Sequence, residues 1–234
     1  MNYQKLLTQM FSDKFEISVN NDILLGQATY EDYQFTLCGI VNEAQLDNQM
    51  SLILAQYILD KMSSETNFNL LMIVDTGGQK TTHHAELLGL NRYFAHLIKV
   101  IHLARSNGAR VFAVVNGKAL GGAFIASGLN AERIYALADA QIAVMWLEAM
   151  SKVTKIPLDK LQELSKTSAI FAPGAENFVK LGAVEAILSS EQIMPQLLAD
   201  LASDVVGVHH WRESGSSRGG RVMADKIVRQ ILDA

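Results

Sequence analysis

The sequence has a single cysteine and no dense run of basic residues. Each of these features excludes a class of structure or function. Cys38 is the single cysteine among 234 residues, so an internal disulfide is excluded. A reducing, cytoplasmic setting is therefore expected. The formal net charge is −4, and no Lys/Arg cluster forms the basic stripe typical of nucleic-acid-binding proteins. We expect no nucleic-acid partner.

Long apolar runs are missing as well. No stretch approaches the roughly 20 apolar residues that a membrane-spanning helix needs. Residues 1–16 mix charged with apolar side chains and lack the apolar core of a signal peptide. We therefore expect no membrane association. Hydrophobic residues nevertheless make up 49% of the chain, so a sizeable core can form.

Strand and helix patterns alternate along the chain, and this alternation predicts the fold class. We predict strands at 15–19, 34–41, 70–74, 110–115, 134–136, 142–145 and 182–188. We predict helices at 47–62, 83–106, 121–129, 147–153, 157–167, 174–181, 192–201 and 221–232. Strands that alternate with helices indicate an α/β fold with a mostly parallel sheet flanked by helices.

The last part of the chain has a different composition. Glu213–Gly220 (ESGSSRGG) has the composition of a flexible linker. We therefore divide the chain into a single domain at 1–205 and a flexible segment with a C-terminal helix at 206–234. The arginines near the linker are expected to be solvated: Arg212, Arg218 and Arg221.

Two polar, glycine-containing segments follow buried strands. The ligand of a parallel sheet lies at the carboxyl ends of its strands, so both segments are candidate sites. The first is Asp75-Thr76-Gly77-Gly78-Gln79-Lys80, which the pattern predicts to be a turn. The second is Asn116–Ala123, where Gly121 and Gly122 begin a predicted helix.

The start of that helix is suited to negative charge. Its first amides have no partner within the helix, and the helix dipole is positive there. We expect the amides of Gly122 and Ala123 to point at one oxygen. Spacing alone leaves structural interpretations open: Gly121 and Gly122 would also allow tight helix packing, and Asp75 would also stabilise a local polar turn.

Other catalytic residues are poorly supported. No His, Cys, Asp and Glu set has metal-ligand spacing, so we predict no metal. Ser127 lacks the glycine context of a serine nucleophile, and Cys38 lies inside a strand pattern. Glu148 follows a strand, where a general acid or base could stand, but we expect it to be exposed on the surface.

Several segments of the chain together resemble a known family. Gly121–Phe124, with Asp75–Gln79 upstream, resembles the carboxyltransferase branch of the crotonase superfamily. Four further stretches resemble the gamma subunit of biotin-independent malonate decarboxylases: 86–91, 126–129, 149–157 and 171–178. The resemblance runs from about residue 70 to 190, and the four stretches together make it specific.

The resemblance implies a fold, a reaction and partners. The fold would be a crotonase-like spiral of ββα units, so that 1–205 would be one carboxyltransferase domain. The active site would lie between this subunit and a beta subunit. It would convert a malonyl thioester on an acyl carrier subunit to acetyl thioester and carbon dioxide. The carrier would bear a coenzyme-A-like prosthetic group, an alpha transferase subunit would also take part, and no cofactor would bind this chain directly. No biotin would be needed.

The resemblance also assigns roles to residues. The amides of Gly122 and Ala123 would form an oxyanion or carboxylate hole for the malonyl carboxylate or the departing carbon dioxide. The substrate wall would consist of Gly121, Asp75, Thr76, Gly77, Gly78 and Gln79. Gly77 departs from the family pattern, because relatives often carry proline there.

Two alternatives remain. A self-sufficient crotonase-type isomerase or hydrolase would need its own acid or base, and residues 124–127 lack the glutamate of the hydratases. A non-catalytic scaffold would use the glycines for packing only. Exposed apolar surface on the helix at 83–106 or at 121–129 is expected if a partner subunit docks there.

Overall fold

One twisted sheet runs through the protein. The computed structural model describes residues 2–168, 172–204 and 210–233. The strands of the described part are β1 (Phe15–Asn20), β2 (Ile23–Tyr30), β3 (Tyr33–Leu46), β4 (Asn69–Gln79), β5 (Arg110–Leu120), β6 (Arg133–Leu137), β7 (Gln141–Ala143) and β8 (Ala186–Leu188). Their order is β1-β2-β3-β4-β5-β6-β8, and β7 pairs with β5. The pairs from β3 onward are parallel, whereas β1, β2 and β3 pair antiparallel, so the predicted α/β class is confirmed.

Helices cover both faces of the sheet. The helices of the described part are α1 (Tyr3–Phe11), α2 (Asn48–Ser64), α3 (His83–Leu87), α4 (Leu90–Ser106), α5 (Gly121–Ala126), α6 (Leu147–Thr154), α7 (Leu158–Thr167), α8 (Ala175–Lys180), α9 (Ser190–Leu201), α10 (His210–Ser217) and α11 (Ala224–Leu232). Side chains of β4 alternate between two cores. Leu70 and Met72 pack with α2, α4, α5 and α8, while Leu71 and Ile73 pack with α1 and α9. The continuous apolar run of β4 reflects burial on both faces.

The amino-terminal region contains elements that the sequence patterns did not predict. Helix α1 buries Leu6, Leu7, Met10 and Phe11 against the second core. Strands β1 and β2 form a hairpin whose turn places Asn21 and Asp22 at positive φ, 47° and 61°. Asparagine and aspartate tolerate this conformation better than most residues, so the Asn-Asp pair was the local signal for the hairpin.

Strands β4 and β5 continue beyond their predicted ends. The register between them shifts after Val74, and the next pair is Thr76 with Ala119. Beyond the shift, Gln79 still pairs with Leu46 of β3, and Lys118 pairs with Gln141 of β7. The predicted turn at Asp75–Lys80 is therefore wrong for residues 75–79, because neighbouring strands on both sides pair with this polar segment.

The predicted helix at 83–106 is two helices. Gly89 separates α3 from α4 and has φ of 80°, a left-handed conformation that cannot continue a right-handed helix. The apolar stripe is divided at the same point. Leu97 and Ile101 of α4 are fully buried, but Leu87 of α3 is 73% exposed. Gly108 follows α4 at φ of 93°, as expected of a residue that ends a helix.

The prediction of a flexible linker at Glu213–Gly220 is wrong for residues 213–217, because these residues belong to helix α10. Gly215 packs against the backbone of Leu181, where an added Cβ would lie 2.3 Å from the carbonyl oxygen. Arg218 is not a solvated side chain: it donates to the carbonyls of Val179 and Val184 at 3.0 and 2.9 Å and pairs with Glu185 at 3.1 Å. Small residues serve close packing here.

The two other arginines of this region also have contacts. Arg212 pairs with Asp225 at 3.3 Å, and the Arg221 guanidinium lies 4.8 Å from the ring centre of Trp211. The expectation of solvated arginines is therefore wrong as well. Two predicted features lie outside the described residues. They are the domain boundary between residues 205 and 206, and Phe171, which begins one of the stretches that resemble the family. Among the described residues, no helix combines the length and hydrophobicity of a membrane span.

The core predicts a stability difference within one helix. Leu54 of α2 is fully buried, whereas Leu52 is 44% exposed. We expect Leu54→Ala to lower the free energy of unfolding by about 3 kcal/mol through lost burial and a cavity. Leu52→Ala, the matched control, should change it by no more than about 0.5 kcal/mol. Urea unfolding of the two variants measures both values, and equal losses would contradict the assigned core.

Candidate active site

The two predicted segments meet at one edge of the sheet. The Gly122 amide, in the first turn of α5, donates a hydrogen bond of 2.8 Å to Oε1 of Gln79 at the end of β4. Pairing of Thr76 with Ala119 brings the two strand ends together. The amide that was expected to receive a ligand oxygen therefore already binds a side-chain oxygen of the same chain.

The absence of side chains at Gly121 and Gly122 makes room for this contact. Gly121 has φ of 52°, and a Cβ added there would lie 2.6 Å from Gln79 Oε1. A Cβ on Gly122 would lie 3.2 Å from the same oxygen and 3.4 Å from a ring carbon of Phe94. The packing interpretation of these glycines therefore holds in part, since their missing side chains make room for Gln79 and Phe94.

Asp75 joins two strands and does not stabilise a local turn. Its Oδ1 accepts a hydrogen bond of 2.9 Å from the amide of Lys118, which is 43 residues away. A Cβ on Gly117 would approach that oxygen to 2.2 Å, so the close contact depends on glycine there. The carboxylate thus connects β4 to β5 at the point where their register changes.

The residues of β4 that follow Asp75 also make contacts within the chain that fix the backbone. Thr76 is fully buried; its hydroxyl donates to the carbonyl of Ala44 at 2.7 Å and accepts from the Gly78 amide at 3.3 Å. A Cβ on Gly77 would lie 2.7 Å from the carbonyl oxygen of Glu43, and Gly78 has φ of 108°. These residues hold the shape of the strand end on which Gln79 is placed.

The site differs in accessibility from residue to residue. Gly121, Gly122 and Gln79 are half-buried, so molecules in solvent can reach this part of the site. Ala123 is fully buried. Gln79 Nε2 donates no hydrogen bond to any described residue, so Oε1 alone holds the carboxamide in place. A backbone amide at the start of a helix and a neutral carboxamide beside it are groups that suit an oxygen ligand, including an anionic one.

Apolar side chains are exposed beside the site. The carbonyl oxygen of Val144 lies 3.6 Å from a Cβ built on Gly121, and Val144 itself is 58% exposed. We call the exposed apolar residues at the end of α3 and in the segment after β7 the apolar rim: Leu87, Leu88, Val144, Met145 and Trp146. The expected exposure on the predicted helix at 83–106 is thus present at α3. Exposed apolar groups of this kind mark interaction surfaces.

Other catalytic candidates do not form a site. Ser127 is buried and donates to the carbonyl of Ala123 at 2.6 Å. Glu148 is exposed in the first turn of α6, as expected. No group of three or more His, Cys, Asp or Glu side chains within residues 2–168, 172–204 and 210–233 is arranged to hold a metal ion.

Comparison with known proteins places the chain in a family. Residues 42–234 match the sequence profile of the malonate decarboxylase gamma subunit. The chain belongs to that family. The malonyl-S-ACP:biotin-protein carboxyltransferase MADD of Malonomonas rubra is 32% identical over 176 residues, which cover 69% of this chain. The chain spans only 60% of the length of that relative.

Solved structures confirm the expected fold of this family member. A Pseudomonas malonate decarboxylase hetero-tetramer in complex with coenzyme A contains a chain of the same fold, with a TM-score of 0.83 and 18% identity over 97% of both chains. The Pseudomonas MdcD-MdcE hetero-dimer matches with a TM-score of 0.77 and 20% identity over 97% of this chain and 96% of that chain. Transcarboxylase 12S gives 0.70 and 18% identity over 89% of this chain and 44% of that chain. The fold is that of the crotonase-like carboxyltransferases.

The single thiol gives a test of the assignment of Cys38 to the core. Cys38 is fully buried, and burial raises the pKa of its thiol to about 12. The thiolate is the reactive form, so the folded chain at pH 8 should react with a thiol reagent far more slowly than the chain unfolded in guanidinium. Absorbance after addition of a chromogenic disulfide measures both rates. Rapid reaction of the folded chain would show that Cys38 is accessible.

Proposed function

We propose that this chain is the gamma subunit of a malonate decarboxylase and forms, with a beta subunit, an active site at their interface. The substrate is a malonyl thioester on an acyl carrier subunit, and the products are acetyl thioester and carbon dioxide. Membership of the family supports this function. The observation that carries the site assignment is the amide of the half-buried residue Gly122, which binds the Gln79 Oε1 oxygen at 2.8 Å.

The reaction needs polar groups at two places. The bond between the carboxyl carbon and the α-carbon breaks, and its electron pair passes to the thioester oxygen as an enolate. Donors for that oxygen come from the beta subunit, as the family resemblance implies. The Gly122 and Ala123 amides of this chain hold the carboxylate that leaves as carbon dioxide. A proton added to the α-carbon then gives the acetyl group. Preorganised donors are effective because they need no rearrangement during the reaction.

The remaining predicted site residues have supporting roles in this scheme. Gly121 keeps room beside Gly122, and Gln79 contacts the amide directly. Asp75 and Thr76, with Gly77 and Gly78, form the wall behind the carboxylate and fix the end of β4. The Asp75 carboxylate accepts a hydrogen bond from the Lys118 amide, which gives it a structural role in this scheme.

The apolar rim supports a partner subunit. Leu87 and Val144 are 73% and 58% exposed, and a beta subunit that covers Val144 beside Gly121 would also exclude water from the substrate. The complex includes an acyl carrier subunit and an alpha transferase subunit. It works in the cytoplasm, without nucleic acid or membrane. Residues 1–205 serve as the carboxyltransferase domain, and residues 206–234 form a C-terminal segment that Arg218 attaches to α8.

The cofactor assignment has one specific alternative. We propose that no cofactor binds this chain, that the carrier bears a coenzyme-A-like group and that no biotin takes part. The Malonomonas relative is by name a carboxyltransferase to a biotin protein. Transfer of the carboxyl group to biotin is therefore the second candidate function. Inhibition by avidin separates the two reactions, because only carboxyl transfer depends on biotin.

Co-expression with the beta and carrier subunits tests the proposed function. A stable complex that releases carbon dioxide from the malonyl thioester, insensitive to avidin and inactive when either beta or gamma is omitted, is expected. Turnover by this chain alone would favour a self-sufficient enzyme. Full activity of the complex without this chain would favour the scaffold.

One substitution tests the role of the Gly122 amide. Gly122→Val adds bulk where Gln79 Oε1 and Phe94 lie 3.2 and 3.4 Å from a built Cβ. We expect kcat of the complex to fall about 100-fold, the usual cost of losing one such donor. Ile125→Val, a conservative change at an exposed position of α5, is the control and should leave kcat within about twofold. Size-exclusion chromatography confirms assembly; full activity of assembled Gly122→Val would remove the amide from the mechanism.

A further inference from the structure

A cavity of about 550 Å³ lies between α4, the segment that follows α5, and α10. Sites for small molecules usually measure about 300–1,000 Å³, so the volume suits such a ligand. The residues that line it include none of the candidate site residues at 75–79 and 121–123. Most of its wall is apolar and is formed by Ile98, Ile125, Leu129, Ile134 and Trp211.

The wall that α10 forms is firmly attached, so the cavity is not a gap left by a loosely packed helix. His210 Nε2 lies 2.8 Å from Oε1 of Glu185, and Arg218 pairs with the other oxygen of Glu185 at 3.1 Å. A Cβ built on Gly182 would lie 2.2 Å from the carbonyl oxygen of Trp211, so the two backbones touch beside the cavity. Protein interiors are normally close-packed. A large apolar cavity beside such tight contacts is typical of a binding site.

Two arginines bring positive charge to the lining. Arg105 Nη1 donates to the carbonyl of Asn130 at 3.1 Å, and the Arg221 guanidinium lies 4.8 Å from the ring centre of Trp211. A carbonyl and an aromatic ring carry no net charge, so these two contacts do not neutralise the arginines. Burial lowers the pKa of Arg105, and the charge of Glu132 raises it. Arg105 is therefore a partly desolvated cation, which an anion can bind through charge-assisted hydrogen bonds.

The two carboxylates of the lining are held by other cations. Glu132 accepts two hydrogen bonds of 2.9 Å from Arg110, one to each oxygen. Glu185 is shared between Arg218 and His210. These pairs use the negative charge of the lining, so the charge that an incoming ligand meets is positive.

We propose that this cavity binds a small amphipathic anion, with its apolar part against Leu129 and Trp211 and its carboxylate on Arg105. Apolar burial supplies the affinity, and the planar guanidinium fixes the orientation because it can donate two parallel hydrogen bonds to a carboxylate. Arg221 adds positive charge to the lining. The ligand joins α4, which carries Arg105, to α10, which carries Trp211. This site is independent of the function proposed above.

Octanoate titrated into the full-length chain tests the site, with Trp211 as the reporter. The chain has two tryptophans, so Trp146→Phe leaves Trp211 as the sole source of tryptophan fluorescence. We expect a saturable change in the emission of Trp211. Octan-1-ol has the same apolar chain without a charge, so it should bind about tenfold more weakly.

Three substitutions separate the parts of the site. Arg105→Gln should weaken octanoate binding about tenfold and leave octan-1-ol binding unchanged, because only the anion uses the guanidinium. Arg229→Gln is the matched control: this side chain is 71% exposed on α11 and lies outside the cavity, so octanoate affinity should stay within about twofold. Ala183→Phe fills the cavity and should weaken both ligands more than tenfold, with circular dichroism to verify folding.

Several results would overturn the proposal. Absence of saturable octanoate binding would mean that the cavity is not a site. Equal affinities for octanoate and octan-1-ol, or for the Arg105→Gln and unchanged chains, would mean that no anion is recognised. If Ala183→Phe does not fold, the comparison of Arg105→Gln with Arg229→Gln still decides.

The assembled complex gives the last test, by equilibrium dialysis with radiolabelled octanoate. Binding should persist in the complex, since the proposed ligand is a small molecule. If assembly prevents octanoate binding, the cavity is a contact of a partner subunit and the proposal is wrong. If no complex forms, the proposed function fails, and the titrations of the chain alone still decide whether the cavity binds an anion.

Discussion

The hydrogen bond from the Lys118 amide to the Asp75 carboxylate is the constraint on which the site depends. It joins β4 to β5 at 2.9 Å, directly after the register between the two strands shifts. Beyond this point β4 continues to pair with β3, and β5 pairs with β7. A charge-assisted hydrogen bond to a backbone amide is stronger than a neutral one, so the shift is fixed rather than left to loop flexibility. Gln79 and Gly122 meet because the strand ends are held in this way.

The rest of the wall follows from the same constraint. Gly117 must lack a side chain, since its built Cβ would lie 2.2 Å from the Asp75 carboxylate oxygen. Thr76 is then buried against the carbonyl of Ala44, and a third strand is tied to the same point. Polar residues that a sequence pattern assigns to a turn are here the connectors between three strands. These residues fix the shape of the end of β4 and thereby position Gln79 beside Gly122.

The sequence was informative where a pattern reflects burial, and uninformative where it reflects a single distant contact. The apolar run at 70–74 predicted a strand covered on both faces, which Leu71 and Met72 confirm by packing into opposite cores. The strand end at Gln79 was missed because its pairing depends on Leu46 and on the bulge after Val74, neither visible locally. The two glycines and the first segment were correctly brought together, since carboxyl ends of parallel strands gather at one edge. That Gln79 would bind Gly122 had no signal in the spacing, because side-chain direction depends on the bulge.

The attachment of the carboxyl-terminal helices has a consequence for synthesis of the protein. Arg218 binds the carbonyls of Val179 and Val184, and also Glu185 near β8, so these groups have no such partner until a later part of the chain is made. While the ribosome still covers the last residues, the carbonyls of Val179 and Val184 lack the guanidinium that binds them in the finished protein. The order of translation therefore makes the attachment of α10 to α8 a late step in the folding of the protein.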